Sequence, residues 1–334
     1  AARCGTWSSA PARRRPPAPA ADRAVAQYYL LPKAVADRVP ALGRAAQAVE
    51  GSLLRGLFWC VQRLRPERAT RVGGALFAAI GPFSQKARKA DTNLAIAFPE
   101  RDAAWRRRTV KQIFRSLGES AAELIKMDQL WRERDRRIAF SWSEKALAAV
   151  EGGQAAVYVC AHVGAWQLTN LIARERDLRI STVYAPESNP AVHDLVQGLR
   201  QAFGVQLVPT DAGVRPLLAE LKAGHGVGLA TDTRLATGEL LPFFGREALT
   251  NTTAARLALR TGAALIPIRC ERLGGARYRV EVLDPLTPAD PAADLDTRAL
   301  DLSRQVNAQF EAWIRETPGQ WICLKRRWPK AHKL

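Results

Sequence analysis

Cysteine and histidine are scarce in this sequence, numbering five and four among 334 residues. Cys4, Cys60, Cys160, Cys270 and Cys323 are widely scattered, form no C-x-x-C, and show no zinc-ligand spacing with a histidine. No metal site is therefore expected. The dispersed count suits a reducing compartment in which the sulfurs act as small core hydrophobes. Long apolar runs are missing too. No stretch of 18 or more apolar residues occurs, so no transmembrane helix is expected. A mean hydropathy of -0.17 excludes a polytopic membrane protein. There is no G-x-S-x-G elbow, which argues against a serine hydrolase. There is no Walker A motif and no G-x-G-x-x-G after a strand. Gly224-His225-Gly226-Val227-Gly228 has the wrong spacing, so nucleotide binding has no support.

Acidic residues are also in short supply, 32 against 50 Lys and Arg, for a net charge of +18. Such an excess favours an anionic partner: nucleic acid, an anionic bilayer or an acidic protein. No RNP, helix-turn-helix or zinc signature accompanies the charge, and no nucleic-acid partner is expected. With 47% apolar and 25% charged residues, the chain buries a full core as one large domain or two small ones.

Three segments follow from composition. Residues 1–27 read as a disordered basic lead rich in Ala, Pro and Arg, without the apolar h-region of a secretory signal. Residues 28–85 read as membrane-associating helices. Ser52–Cys60 and Val72–Phe83 are apolar, too short to cross about 30 Å of hydrocarbon, and flanked by Arg55, Arg63, Arg65, Arg68 and Arg71. That suits a helical pair lying in a membrane interface, with Arg stems reaching phosphates. A helical hairpin packed on the main domain fits the same residues. Residues 86–330 form the third segment. Lys86–Leu130 carries helical periodicity through Val110, Ile113, Phe114, Leu117 and Ala121, and Trp131–Arg137 reads as a charged connector. From about residue 152, short apolar runs alternate with helical stretches. This predicts an α/β fold with a mostly parallel central sheet flanked by helices. Arg277–Leu283 alternates polar and apolar residues, as an edge strand does, and a last helix is expected over 298–316.

Of the four histidines, His332 lies in the tail, His225 in a Gly-rich turn expected to face solvent, and His193 near a helix start. His162 follows the apolar run Val157–Ala161 and precedes Gly164 and a helix. It therefore sits at a strand's carboxyl end, where open α/β sheets bind ligands. In His162-Val163-Gly164-Ala165-Trp166-Gln167, a turn back over the strand end brings position 167 toward the imidazole. The histidine then acts as general base on a hydroxyl, with Gln167 fixing its tautomer. A glutamine brings no charge to that role. Asp232 ends the strand Gly226–Thr231 at the same rim if the strands are parallel, though a turn-capping role explains it equally well. Arg246 and Thr250–Thr253 precede a helix, where an anion or a simple N-cap accounts for them.

Several blocks, in order, resemble the late lipid A acyltransferases (lauroyl/myristoyl acyltransferases) of bacterial inner membranes. These belong to the wider His-x4-Asp/Glu lysophospholipid acyltransferases. The blocks are Ala87–Glu100 (ARKADTNLAIAFPE), Val157–Leu168 (VYVCAHVGAWQL), Val183–Gln197 (VYAPESNPAVHDLVQ), Thr231-Asp232 with Leu241–Gly245 (LPFFG), Thr250–Pro267 and Gln320–Arg327 (QWICLKRR). The resemblance implies a glycerolipid acyltransferase-like fold and O-acyl transfer at the cytoplasmic face of a bacterial inner membrane. The acyl chain would pass from an acyl carrier protein or CoA thioester to a hydroxyl of a membrane lipid, a lipid A precursor or a related lysolipid. It implies no metal or redox cofactor. His162 and Gln167 take the catalytic positions, and Trp166, Asp232 and Arg246 the substrate-binding ones. Two positions depart from the family pattern. Gln167 replaces an acid, and Ala185 replaces an arginine, with Glu187 the nearest carboxylate. An impaired or altered mechanism, or a weakened lipid- or carrier-binding homologue, follows as the alternative.

Overall fold

Small and β-branched residues make the central strands two-faced. In β2 (Ala156–Cys160), Val157 and Val159 point into one core while Ala156 and Tyr158 point into another on the opposite face. The computed structural model describes residues 40–187 and 189–328. The basic lead lies outside them, as does the start of the second segment.

Seven strands form one sheet in the order β1-β9-β8-β2-β5-β3-β4. The others are β1 (Ile138–Trp142), β3 (Ile180–Tyr184), β4 (Gln206–Pro209), β5 (Gly226–Ala230), β8 (Ala264–Gly274) and β9 (Arg277–Val282). Every pairing is parallel except that of β8 with β9, a hairpin. The expected mostly parallel sheet is present. The Arg277–Leu283 run is not its edge, because β1 covers its outer side. β1 lies just past the supposed connector, and its alternating burial in five residues leaves little sequence signal. A separate hairpin, β6 (Glu239–Phe243) with β7 (Arg246–Thr250), also lay outside the sequence expectations.

The helical stretch 86–130 resolves into Gln85–Ala97, Ala103–Ile125 and Met127–Arg132. Pro99 falls in the first break, and Asp102 restarts the helix by accepting from the Trp105 amide at 2.6 Å. The connector itself turns out helical at Arg134–Arg137, because Arg137 is buried there against Glu67 and Glu133. The last helix runs over Leu295–Glu316.

Two helices, Pro40–Arg63 and Pro66–Ile80, occupy the N-terminal segment. The second packs on Ala103–Ile125 where Gly73 meets Gly118; a Cβ on Gly73 would come within 2.6 Å of the Gly118 carbonyl oxygen. Its other face remains exposed. No helix among the described residues is long and apolar enough to cross a membrane.

Candidate active site

β2 and β5 are parallel neighbours, and their register pairs Cys160 with Ala230. The Thr231 amide donates to the Cys160 carbonyl, extending the ladder at 3.1 Å. His162 and Asp232 each follow two residues beyond that pair, so they leave the sheet side by side. Nδ1 of His162 donates to Oδ1 of Asp232 at 2.6 Å. The second carboxylate oxygen, Oδ2, accepts from the Trp321 indole Nε1–H at 3.1 Å. Asp232 is almost wholly buried, with 2% of its side chain exposed, while His162 keeps 29%. This leaves Nε2 of the imidazole as the nitrogen available to an incoming hydroxyl.

The buried carboxylate favours the protonated imidazole over the neutral one. Burial works to push the His162 imidazole down, but the Asp232 charge and hydrogen bond prevail and hold it above its ordinary value. Burial likewise works to raise the Asp232 carboxyl. The His162 charge, hydrogen bonds from His162 and the Trp321 indole together keep it below its usual value. The arrangement suits a base whose imidazolium form is stabilised after it takes a proton.

The turn after His162 is held from three sides. Gly164 has φ 64°, and a Cβ there would meet the Cys270 carbonyl oxygen at 2.5 Å. The Ala165 amide donates to that carbonyl at 3.2 Å, and the Gly164 amide to the Gln320 carbonyl at 3.3 Å. Ile322 N–H donates to the His162 carbonyl at 2.8 Å. The segment carrying Trp321 therefore runs beside the histidine. Asn93, fully buried, ties that segment down by donating to the carbonyls of Cys323 and Lys325, each at 2.8 Å, and accepting from the Arg327 amide at 3.1 Å.

His162 stands between two recesses. One is a cavity of about 320 Å³ reaching between β2, β3 and β5, with Tyr158, Ile172, Ile180, Phe203 and Ile268 in its walls and Gln167, Thr169, Asn170 and Thr182 among them. The other is a cleft of about 480 Å³ containing Asp232, Trp321, Lys86, Arg234, Lys325 and Arg327. An apolar-walled cavity and a cationic cleft thus share the histidine.

The other expected site residues fall differently. Gln167 makes no hydrogen bond to His162; a short 3-10 helix, Trp166–Leu171, begins after the Gly164 turn and aims Gln167 into the smaller cavity. Asp232 takes the role assigned to Gln167, and it carries the charge that Gln167 lacks. Trp166 does reach the site, its ring 5.4 Å from the imidazole centre to centre. Arg246 lies exposed at the start of β7 and lines neither recess. Just ahead of the following helix, Asn251 Oδ1 accepts from Thr253 N–H at 2.9 Å. Glu187 pairs with Arg200 at 2.9 Å on the cavity wall, 13 residues apart in sequence. His225 is not turned to solvent, because its Nδ1 donates to Glu220 at 2.8 Å. Cys270 and Cys323 are buried as expected, Cys160 is half-buried on the cavity wall, Cys60 is exposed, and Cys4 lies outside the described residues. Among the described residues, no three His, Cys, Asp or Glu side chains are placed to hold a metal ion. Trp321 and Asn93 were not foreseen as site residues, although both lie in blocks that carry the family resemblance.

The phosphatidylinositol mannoside acyltransferase of Mycobacterium tuberculosis is 27% identical over 187 residues, or 54% of this chain and 57% of that protein, so the chain matches little more than half of this relative's length. A lipid A biosynthesis acyltransferase of Haemophilus influenzae is 23% identical over 264 residues, covering 76% of this chain and 79% of that one. The lipid A biosynthesis myristoyltransferase of Escherichia coli is 21% identical, covering 76% and 81%. The crystal structure of a 1-acyl-sn-glycerophosphate acyltransferase from Thermotoga maritima superposes with a TM-score of 0.33 at 12% identity, over 72% of this chain and 99% of that one. The sequence pattern of the bacterial lipid A biosynthesis acyltransferases matches residues 46–330. The chain belongs to that family of acyltransferases.

Proposed function

We propose that this protein moves a fatty acyl chain from a thioester, on acyl carrier protein or CoA, to a hydroxyl of a membrane lipid. The observation that carries the reading is the 2.6 Å contact of His162 with buried Asp232 between an apolar-walled cavity and a cationic cleft. The acceptor hydroxyl oxygen attacks the thioester carbonyl carbon while its proton passes to Nε2 of His162. The tetrahedral intermediate collapses, the C–S bond breaks, and the imidazolium returns the proton to the leaving sulfur. The products are an ester and a free thiol. No metal or redox cofactor enters this scheme.

The cavity suits the acyl chain, and the cleft suits anionic parts of a donor or acceptor. In this reading the acceptor is a lipid A precursor or a related lysolipid; the relatives' names point to lipid A biosynthesis and to phosphatidylinositol mannoside. A weakened binding homologue was the alternative suggested by Gln167 and Ala185; the carboxylate of Asp232 favours turnover instead.

The chain works at the cytoplasmic face of a bacterial inner membrane in this reading. The two N-terminal helices and the turn after them expose Leu53, Leu57, Trp59, Val72, Leu76 and Ile80, and Phe83 is 90% exposed. Arg63 lies 4.2 Å over the Trp59 ring. Apolar side chains beside arginines suit a bilayer interface rich in anionic lipid. The net charge also suits an acidic carrier protein as partner.

Lipid mass spectrometry of the native host with the gene deleted, then restored, tests the function. One acylated lipid should disappear and return. An unchanged lipid profile would refute the reading.

A further inference from the structure

We infer that the cavity beside His162 is built for an acyl chain that carries a hydroxyl close to its thioester end, and that the side-chain amide of Gln167 reads that hydroxyl. This rests on the acyl-transfer reading and narrows its donor.

The signal is one buried, unsatisfied side-chain oxygen in the cavity wall. Oε1 of Gln167 is buried and has no hydrogen-bond partner. Three polar neighbours on the cavity, Thr169, Asn170 and Thr182, are internally paired. Thr169 Oγ1 donates to the Trp166 carbonyl at 2.6 Å, Asn170 Nδ2 to the Gln167 carbonyl at 3.0 Å, and Thr182 Oγ1 to Asn170 Oδ1 at 2.7 Å. Those three need nothing from a ligand; the Gln167 amide does. A plain alkyl chain that fills the cavity excludes water and leaves the amide unpaired, which is unfavourable for any buried polar group. A hydroxyl both donates and accepts, so it satisfies the amide whichever of its two ends meets the chain.

Position along the chain follows from the turn. Gln167 and His162 line the same cavity and are joined by the short turn through Gly164, so in this proposal the amide lies toward the thioester end of the acyl chain and not at the far end of the tail. Carbon 2 or carbon 3 of the acyl group falls there. The hydroxyl is not consumed. The acyl group moves intact: a C–O bond to the acceptor forms, the C–S bond breaks, and the acceptor's proton ends on the thiol.

The test compares tetradecanoyl, 2-hydroxytetradecanoyl and 3-hydroxytetradecanoyl thioesters of acyl carrier protein as donors to a lysophospholipid. The full chain is held in anionic vesicles, as wild type and as Gln167→Met. The quantity read is the ratio of kcat/KM for hydroxylated over plain donor. It is internal to each preparation, so partial loss of folded protein does not move it. Wild type should favour one hydroxylated donor by about 10-fold, the worth of one well-made hydrogen bond. Gln167→Met, of similar length without the amide, should bring the ratio to about one. Equal wild-type rates for all three donors would overturn the inference and leave acyl transfer standing. A ratio that survives Gln167→Met would also overturn it. If Gln167→Met slows all donors alike, the amide serves the pantetheine arm of the donor, and the inference fails. Transfer of none of the chains would overturn the acyl-transfer reading together with this one.

Discussion

His162 and Asp232 stand at the same step beyond one register pair, Cys160 with Ala230, on adjacent parallel strands. Parallel pairing is what lets two residues distant in sequence leave the sheet side by side at its carboxyl rim. The dyad is therefore a property of strand order as much as of residue type, and the substitutions below probe each of its supports.

Asp232→Asn removes the charge and keeps the shape. Transfer should fall by about 10²–10⁴, in the range seen when a general base loses its function or its oriented tautomer. The pH profile should change with it. The neutral imidazole is the base, and Asp232 holds the imidazole above its ordinary value of 6.5. The wild-type rate should thus climb through a pH above that value. Without the carboxylate, burial is left as the dominant influence, and the climb should move to lower pH. Stability follows the same sign. The raised His162 contributes stability that is full below its ordinary value and is lost as pH rises through its raised value. Melting curves against pH should show that loss in wild type and not in Asp232→Asn.

Trp321→Phe keeps an aromatic ring among Phe243 and Phe244, 6.0 and 6.1 Å away, but removes the donor to Oδ2 of Asp232. A hydrogen bond to a buried charged group is worth about 1.5–3 kcal/mol. The melting temperature should drop accordingly and transfer should slow by about 10-fold or more. Denaturant melts and a transfer assay on one preparation measure both.

Gly164→Ala tests the turn that positions the histidine. The new Cβ would press on the Cys270 carbonyl at 2.5 Å, at a backbone angle that L residues rarely adopt. A loss of about 1–3 kcal/mol is expected for such strain. Because the clash lies two residues from His162, transfer should fall further than the folded fraction does.

Membrane attachment should depend on the exposed apolar face. Leu57 and Leu76 are each 43% exposed and Phe83 is 90% exposed, so replacing all three by Glu disturbs little packing. Flotation with anionic vesicles should fall by about 10-fold or more, since interfacial binding scales with apolar area and with attraction to anionic lipid. Wild-type flotation should itself weaken as salt is raised.

Much of this is legible in the sequence. The β-α alternation marked the sheet, and the strand–His–Gly pattern marked His162. Asp232 showed as a polar residue closing a Gly-flanked apolar strand. Which strands become neighbours was not legible, because strand order is settled by tertiary packing and not by local pattern. Local pattern alone therefore points to Gln167, five residues on, as the partner of His162. The αL turn at Gly164 and the 3-10 start at Trp166 send that side chain into a cavity instead. Trp321 lies 89 residues from Asp232, and no local spacing reveals such a contact. Sequence position alone makes Arg246 an anion contact at a helix start; the β6–β7 hairpin instead leaves it exposed at the start of β7.

Acyl transfer by the purified full chain in anionic vesicles, from a panel of acyl carrier protein and CoA thioesters to a panel of lysolipids, tests the dyad most directly when wild type is set against His162→Ala. His162 is at a strand end with 29% of its side chain exposed, so the variant should fold and melt much as wild type does. The account predicts that transfer drops by at least about 10²-fold while the melting curve is little changed. Transfer by His162→Ala at the wild-type rate would contradict it.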